Sequence, residues 1–175
     1  MSTPSRLIGV ALGSILAGVA WAETPNLGRP ITPQELAGWD ISIAPDGAGL
    51  PAGSGSASQG EVVYAAVCQS CHGEKGAGKP NDALVGGQGT LAGDGPPIKT
   101  VGSFWPYATT LFDYIRRAMP LTAPKSLSDD QVYAVSAYIL YLNGIIPGDG
   151  VMDAATLPRV RMPNRDGFVA FGRSR

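Results

Sequence analysis

Five consecutive residues constrain this chain more than any others: Cys68-Gln69-Ser70-Cys71-His72. Two thiols three positions apart lie on one helical turn. Each can add through sulfur to a vinyl group of a single porphyrin, and the imidazole that follows is placed to bind the iron, so the stretch reads as an attachment site for haem c. A C-x-x-C pair also serves zinc sites and thioredoxin-like redox centres. The chain holds two cysteines and one histidine, and a tetrahedral zinc site wants four such ligands, so it cannot be completed here without carboxylate help. Exported proteins do form disulfides, but a bridge across three positions closes too small a loop to staple a fold. A disulfide-linked binding module without cofactor is the non-redox alternative. Because His72 is the only histidine, it has to be the proximal iron ligand, and a bis-histidine pair within the chain is impossible.

The N-terminus agrees with export. Arg6 is followed by the apolar run Leu7 to Val19 and then Ala20-Trp21-Ala22, the pattern of a signal peptide with cleavage after Ala22. The run is shorter than the roughly 20 residues that span a bilayer core, so a retained anchor is the weaker reading and no membrane span is expected in the mature chain. The implied location is a bacterial periplasm, where haem is attached covalently. A sixth iron ligand is available in Met119, forty-seven residues after His72 in Arg116-Arg117-Ala118-Met119-Pro120. Proline biases the preceding residue out of the helical region, which frees the Met119 thioether to turn toward a haem. A core methionine is the bland alternative, and Met162 is the fallback ligand.

Composition bounds the remainder. With 24 Gly, 15 Pro and 15% charged residues the chain is globular but rich in loops, and its net charge of −1 gives no support for a nucleic-acid partner or a polybasic membrane contact. Residues 23–57 form a Pro/Gly-rich arm. Thr32-Pro33-Gln34-Glu35 predicts a capped short helix through Leu36 and Trp39, and Gly53-Ser54-Gly55-Ser56 a hinge. The arm reads either as a flexible leader or as a segment ordered against a partner. The domain proper spans residues 58–146. It opens with a capping box at Ser58-Gln59-Gly60-Glu61 and a helix running into Cys68. A second box, Ser128-Asp129-Asp130-Gln131, opens a last helix ending near Asn143-Gly144, with Val132, Val135, Ile139 and Leu142 as its buried stripe. Between them, Thr109 or Thr110 can cap a helix to Ala118 with Leu111, Tyr114, Ile115 and Ala118 inward. Trp105 and Tyr107, aromatic rings with polar tips, are candidate haem contacts. The glycine-rich stretch Gly73 to Gly95 suits a loop folded against a large prosthetic group. Its Gly86-Gly87-Gln88-Gly89-Thr90 lacks the lysine and spacing of a P-loop. The tail, residues 147–175, is arginine-rich and reads as solvated or as a docking strip for an acidic partner.

Gly60 and Tyr64, eight and four residues before Cys68, resemble the glycine and aromatic positions of class I c-type cytochromes. The resemblance implies an all-α fold, the class I cytochrome c fold around one covalent haem, with long irregular N- and C-terminal extensions. It further implies that Gly60 admits a close crossing by the last helix, with Val135 and Tyr138 as the contact pair there. A loop carbonyl, for which Pro80 is the candidate, would accept the His72 Nδ1 proton.

A narrower resemblance rests on Phe104-Trp105-Pro106-Tyr107-Ala108-Thr109-Thr110, Asp113 to Pro120, Ser126-Leu127-Ser128-Asp129 and Tyr138 to Asn143, together with Trp39-Asp40-Ile41 and Pro45 to Pro51. Over roughly residues 28 to 146 the chain is similar to the cytochrome subunits of periplasmic molybdenum sulfite dehydrogenases and of the Sox-type sulfur dehydrogenase. The Sox-type subunit usually carries two haems, whereas this chain has one C-x-x-C-H. The resemblance implies a monohaem electron-transfer subunit. It would accept electrons from a molybdenum-containing dehydrogenase subunit acting on sulfite or a related sulfur compound, and pass them to a downstream periplasmic cytochrome c. No catalytic site is expected in the chain itself. The alternatives are a free electron shuttle or, if Met119 does not bind iron, a haem enzyme or gas sensor.

Overall fold

The computed structural model describes residues 27–169 and 172, and the segment read as a signal peptide lies outside them. Three helices carry the fold: α2 (Ala57–Val67), α4 (Ala108–Ala118) and α5 (Asp129–Leu142), joined by a single helical turn, α3 (Gln69–His72), and by a preceding short helix, α1 (Pro33–Ala37). The only sheet among the described residues is two antiparallel strands, β1 (Ser54–Ser56) and β2 (Val151–Asp153).

α5 forms the axis of the domain. Ser128 caps it, accepting from the Gln131 amide at 3.3 Å while the Gln131 side chain accepts from the Ser128 amide at 2.9 Å. The sequence predicts one buried stripe on α5, but every residue from Val132 to Leu140 is buried, because α2, α4 and the strand pair enclose it on several sides. The crossing with α2 is close. A Cβ on Gly60 would lie 1.9 Å from the Ala134 carbonyl oxygen and 2.8 Å from the Tyr138 Cβ, so only glycine fits. One turn further on, Tyr64 meets Tyr138 with ring centroids 5.4 Å apart. Tyr138 thus occupies its expected place, but Ala134 rather than Val135 faces Gly60.

Two helix starts differ from the sequence reading. α2 begins at Ala57, capped by Ser56, whose Oγ accepts from the Gln59 amide while Gln59 Oε1 accepts from the Ser56 amide. β1 delivers the chain in extended form up to Ser56, so the capping residue lies two positions before the predicted Ser58. α4 begins at Ala108 after an extended Tyr107, with no side-chain cap. Thr109 is inside this helix and buried, so it cannot serve as the cap.

The flanking segments are tied together. Ser54–Ser56, predicted as a hinge, is a strand in register with the tail, with Gly55 opposite Met152. Tyr133 Oη donates to the Pro51 carbonyl at 2.8 Å, and Ile43 and Leu50 pack on the core. The tail is not solvated throughout: it buries Met152, Leu157 and Met162. α1 has its predicted capping box between Thr32 and Glu35 but ends at Ala37 and buries no residue, which leaves Trp39 82% exposed.

Candidate haem site

α2 runs directly into the C-x-x-C-H turn. The His72 amide donates to the Cys68 carbonyl at 3.0 Å, and Gly73, at φ 74°, then reverses the chain. A Cβ on Gly73 would sit 2.3 Å from the Gly78 carbonyl oxygen. The loop that follows is sewn back onto this turn: Gly78 N donates to the His72 carbonyl at 2.7 Å and Asn81 N to the Cys71 carbonyl at 2.9 Å. Tyr64 Oη donates to the Gly73 carbonyl at 2.9 Å. The carbonyl of Asp82, the residue after Asn81, accepts from His72 Nδ1 at 2.9 Å. Asp82 therefore takes the role expected of Pro80, because the Asn81 bond sets the direction of the chain at the residue just before it. With the proton on Nδ1, the lone pair of Nε2 is left for a metal.

Cys68, Cys71, His72, Trp105 and Met119 all line one cavity of about 370 Å³, within the size range of ligand sites. Its other walls are largely aliphatic: Leu111 and Ile115 from α4, Val135 and Ile139 from α5, and Leu84 from the loop. Met119 is at the C-terminal end of α4 in extended conformation, φ −120° and ψ 146°, as its following proline requires. Met162 is 1% exposed within the tail's packing and does not line the cavity. Trp105 forms part of the wall and meets Tyr114 edge-on, with centroids 5.7 Å apart. Tyr107 is not a lining residue; the Arg165 guanidinium lies over its ring, 4.4 Å from the centroid.

Cys68 and Cys71 are not joined by a disulfide, and burial, with the nearby Cys71 adding to it, pushes the Cys68 pKa up to about 11. Dithiol redox centres work through a depressed thiolate pKa, so the environment of Cys68 does not favour that chemistry. Among the described residues no three His, Cys, Asp or Glu side chains gather as a metal-binding cluster. The donor set present, two thiols on one turn, one imidazole with Nε2 free and one thioether from a separate element, all facing an apolar cavity, fits a covalently held haem. Lys99 also lines the cavity, its Nζ 5.1 Å from the Phe104 ring centroid. Neither Lys99 nor the Asp82 carbonyl was legible beforehand, since loops offer no periodicity to read.

Residues 55–139 match the family described as cytochrome c oxidase, cbb3-type, subunit III. Two thiosulfate dehydrogenases are similar over most of the chain. The one from Stutzerimonas stutzeri (strain A1501) is 31% identical over 145 residues, 78% of this chain and 41% of that protein. The one from Allochromatium vinosum is 29% identical over 140 residues, 74% of this chain and 44% of that protein. The chain thus spans less than half the length of these curated relatives. The crystal structure of the sulfane dehydrogenase SoxCD from Paracoccus pantotrophus superposes with a TM-score of 0.80 at 40% identity, covering 86% of this chain and 74% of that one. The chain is a class I c-type cytochrome related to the Sox-type sulfur dehydrogenase.

Proposed function

We propose that this chain is a periplasmic monohaem electron-transfer subunit. It takes single electrons from a molybdenum-containing dehydrogenase of sulfite or a related reduced sulfur compound and hands them to a further periplasmic cytochrome c. The observation that carries the reading is the convergence of Cys68, Cys71, His72 and Met119 on one apolar cavity. There Cys68 and Cys71 would hold a haem through thioether bonds, and His72 Nε2 and the Met119 sulfur would bind its iron. A haem c with His and Met ligands supplies reversible one-electron exchange at a potential raised by the thioether. The chain's own residues supply the remainder: Asp82 orients His72, the aliphatic walls exclude water, and with His72 and Met119 both on the iron no position would be left there for a substrate. The sulfur chemistry belongs to a separate polypeptide. Single-electron traffic with two partners suits a subunit whose site is a cofactor wall rather than a catalytic constellation.

The test is to purify the protein from its native periplasm and measure co-eluting molybdenum and haem reduction on adding sulfite or thiosulfate. The proposal expects molybdenum in the same fractions and a reduced haem spectrum with at least one of the two substrates. A cytochrome that elutes alone and stays oxidised with both would make it a free carrier and end the subunit reading.

A further inference from the structure

The segment that carries Trp105 lies in neither helix nor strand, and its placement depends on what grips it. The tail grips it from behind through three contacts of different kinds. Asn164 Nδ2 donates to the Phe104 carbonyl at 2.7 Å. The Arg165 guanidinium covers the Tyr107 ring at 4.4 Å. Phe168 meets Phe104 edge-on, with centroids 5.2 Å apart and planes at 72°. The tail is itself anchored, since Leu157 and Met162 are fully buried and the Arg165 amide donates to the Met162 carbonyl at 3.1 Å. Two of the gripped residues flank Trp105 on either side, and Trp105 faces the cavity.

We propose that Asn164 and Arg165 are positioning residues for the cofactor wall. By bracing Phe104 and Tyr107 they hold Trp105 in place and keep water out of the cavity. The inference rests on the haem reading above and adds a role for the tail. Water entering a redox site favours the more highly charged oxidised form, so loosening the brace lowers the potential.

The experiment uses the full chain matured with haem attached and compares reduction potentials by equilibrium titration. Asn164→Ala combined with Arg165→Ala is expected to shift the one-electron equilibrium about threefold toward the oxidised form, roughly 30 mV at 59 mV per tenfold. Soret intensity and far-ultraviolet circular dichroism should stay unchanged. Arg161→Ala, which removes only an exposed ion pair with Asp166, should leave the potential where it is, and Arg165→Lys, which keeps the cation, should preserve most of it. If the brace acts through Trp105, the double substitution should shift the potential far less in a Trp105→Phe chain. Should the double variant lose helical signal, Arg165→Leu alone carries the same comparison. An unchanged potential, or an equal shift with and without Trp105, overturns the proposal. A wild-type chain with no Soret band would overturn the haem reading and this one with it, an outcome distinct from a haem-loaded chain whose potential ignores the tail.

Discussion

His72 has one ring nitrogen committed to the Asp82 carbonyl at 2.9 Å, and that bond defines what the other nitrogen can do. A fixed tautomer leaves Nε2 as a lone-pair donor and gives the ring one orientation toward the cavity. Met119 lines the same cavity from a different element, with an extended backbone that Pro120 enforces. Met119→Ala should therefore leave haem attached through Cys68 and Cys71 while lowering the potential by at least tenfold in the one-electron equilibrium, about 60 mV. It should also let the reduced protein bind carbon monoxide. Redox titration and the carbon monoxide difference spectrum check this. Unchanged spectra would assign the sixth ligand elsewhere, though Met162, itself a buried residue of the tail, could reach the cavity only if the tail unfolded. Cys68, Cys71 and His72 were legible in the sequence because their chemistry is rare and their spacing is local, and Met119 because a proline follows it at a helix end. The Asp82 carbonyl was not, because every residue has a carbonyl and only the turn at Asn81 selects which one points at the ring.

The α2–α5 crossing converts a missing side chain into a fold. The Ala134 carbonyl oxygen would lie 1.9 Å from a Cβ on Gly60, and a backbone group inside a helix cannot swing aside. Gly60→Ala should force the helices apart and cost about 2–3 kcal/mol, read as a lowered urea midpoint of the haem-loaded protein. At the start of α2, Ser56→Ala should cost about 1 kcal/mol through loss of the cap, whereas Ser58→Ala should be near neutral. The contrast tests which capping frame operates. Both frames are present in the sequence, Ser56 with Gln59 and Ser58 with Glu61, and local pattern does not choose between them. β1, paired to a strand almost a hundred residues away, makes the choice. The helices themselves were legible, since α4 and α5 carry helical spacing of apolar residues. The full burial of α5 was not, because it depends on how many neighbours surround the helix rather than on its own periodicity.

At the scale of the whole molecule, the arm and the tail close on each other over α5, and the tail then reaches round to the wall behind Trp105. None of this was readable from pattern. The tail's buried residues, Met152, Leu157 and Met162, recur every five positions, a period belonging to neither helix nor strand, with Met152 in β2, Leu157 in a single 3-10 turn and Met162 in an irregular stretch. The tail's first turn is fixed by Asp153. Its Oδ1 accepts from the Ala155 amide at 2.8 Å, the Thr156 amide at 2.7 Å and the Thr156 hydroxyl at 2.9 Å. These bonds favour the charged form, with the Thr156 amide first among the causes, and hold the Asp153 carboxyl below its ordinary range. A carboxyl with a depressed folded pKa stabilises the fold fully above its unfolded pKa of about 3.9 and loses that contribution as pH falls through the folded value. The effect should be modest, because the carboxylate is largely solvated, and local to the tail. Hydrogen exchange at the β2 and Leu157 amides, corrected for the intrinsic pH dependence, should show falling protection as pH drops below about 4, while α5 amides keep theirs. Asp153→Asn should remove that pH dependence and leave the tail uniformly less protected. If the tail braces Trp105, the same acid range should lower the haem potential in the native chain more steeply than in Asp153→Asn. A pH profile identical in the two chains would separate the tail's anchoring from the cofactor wall.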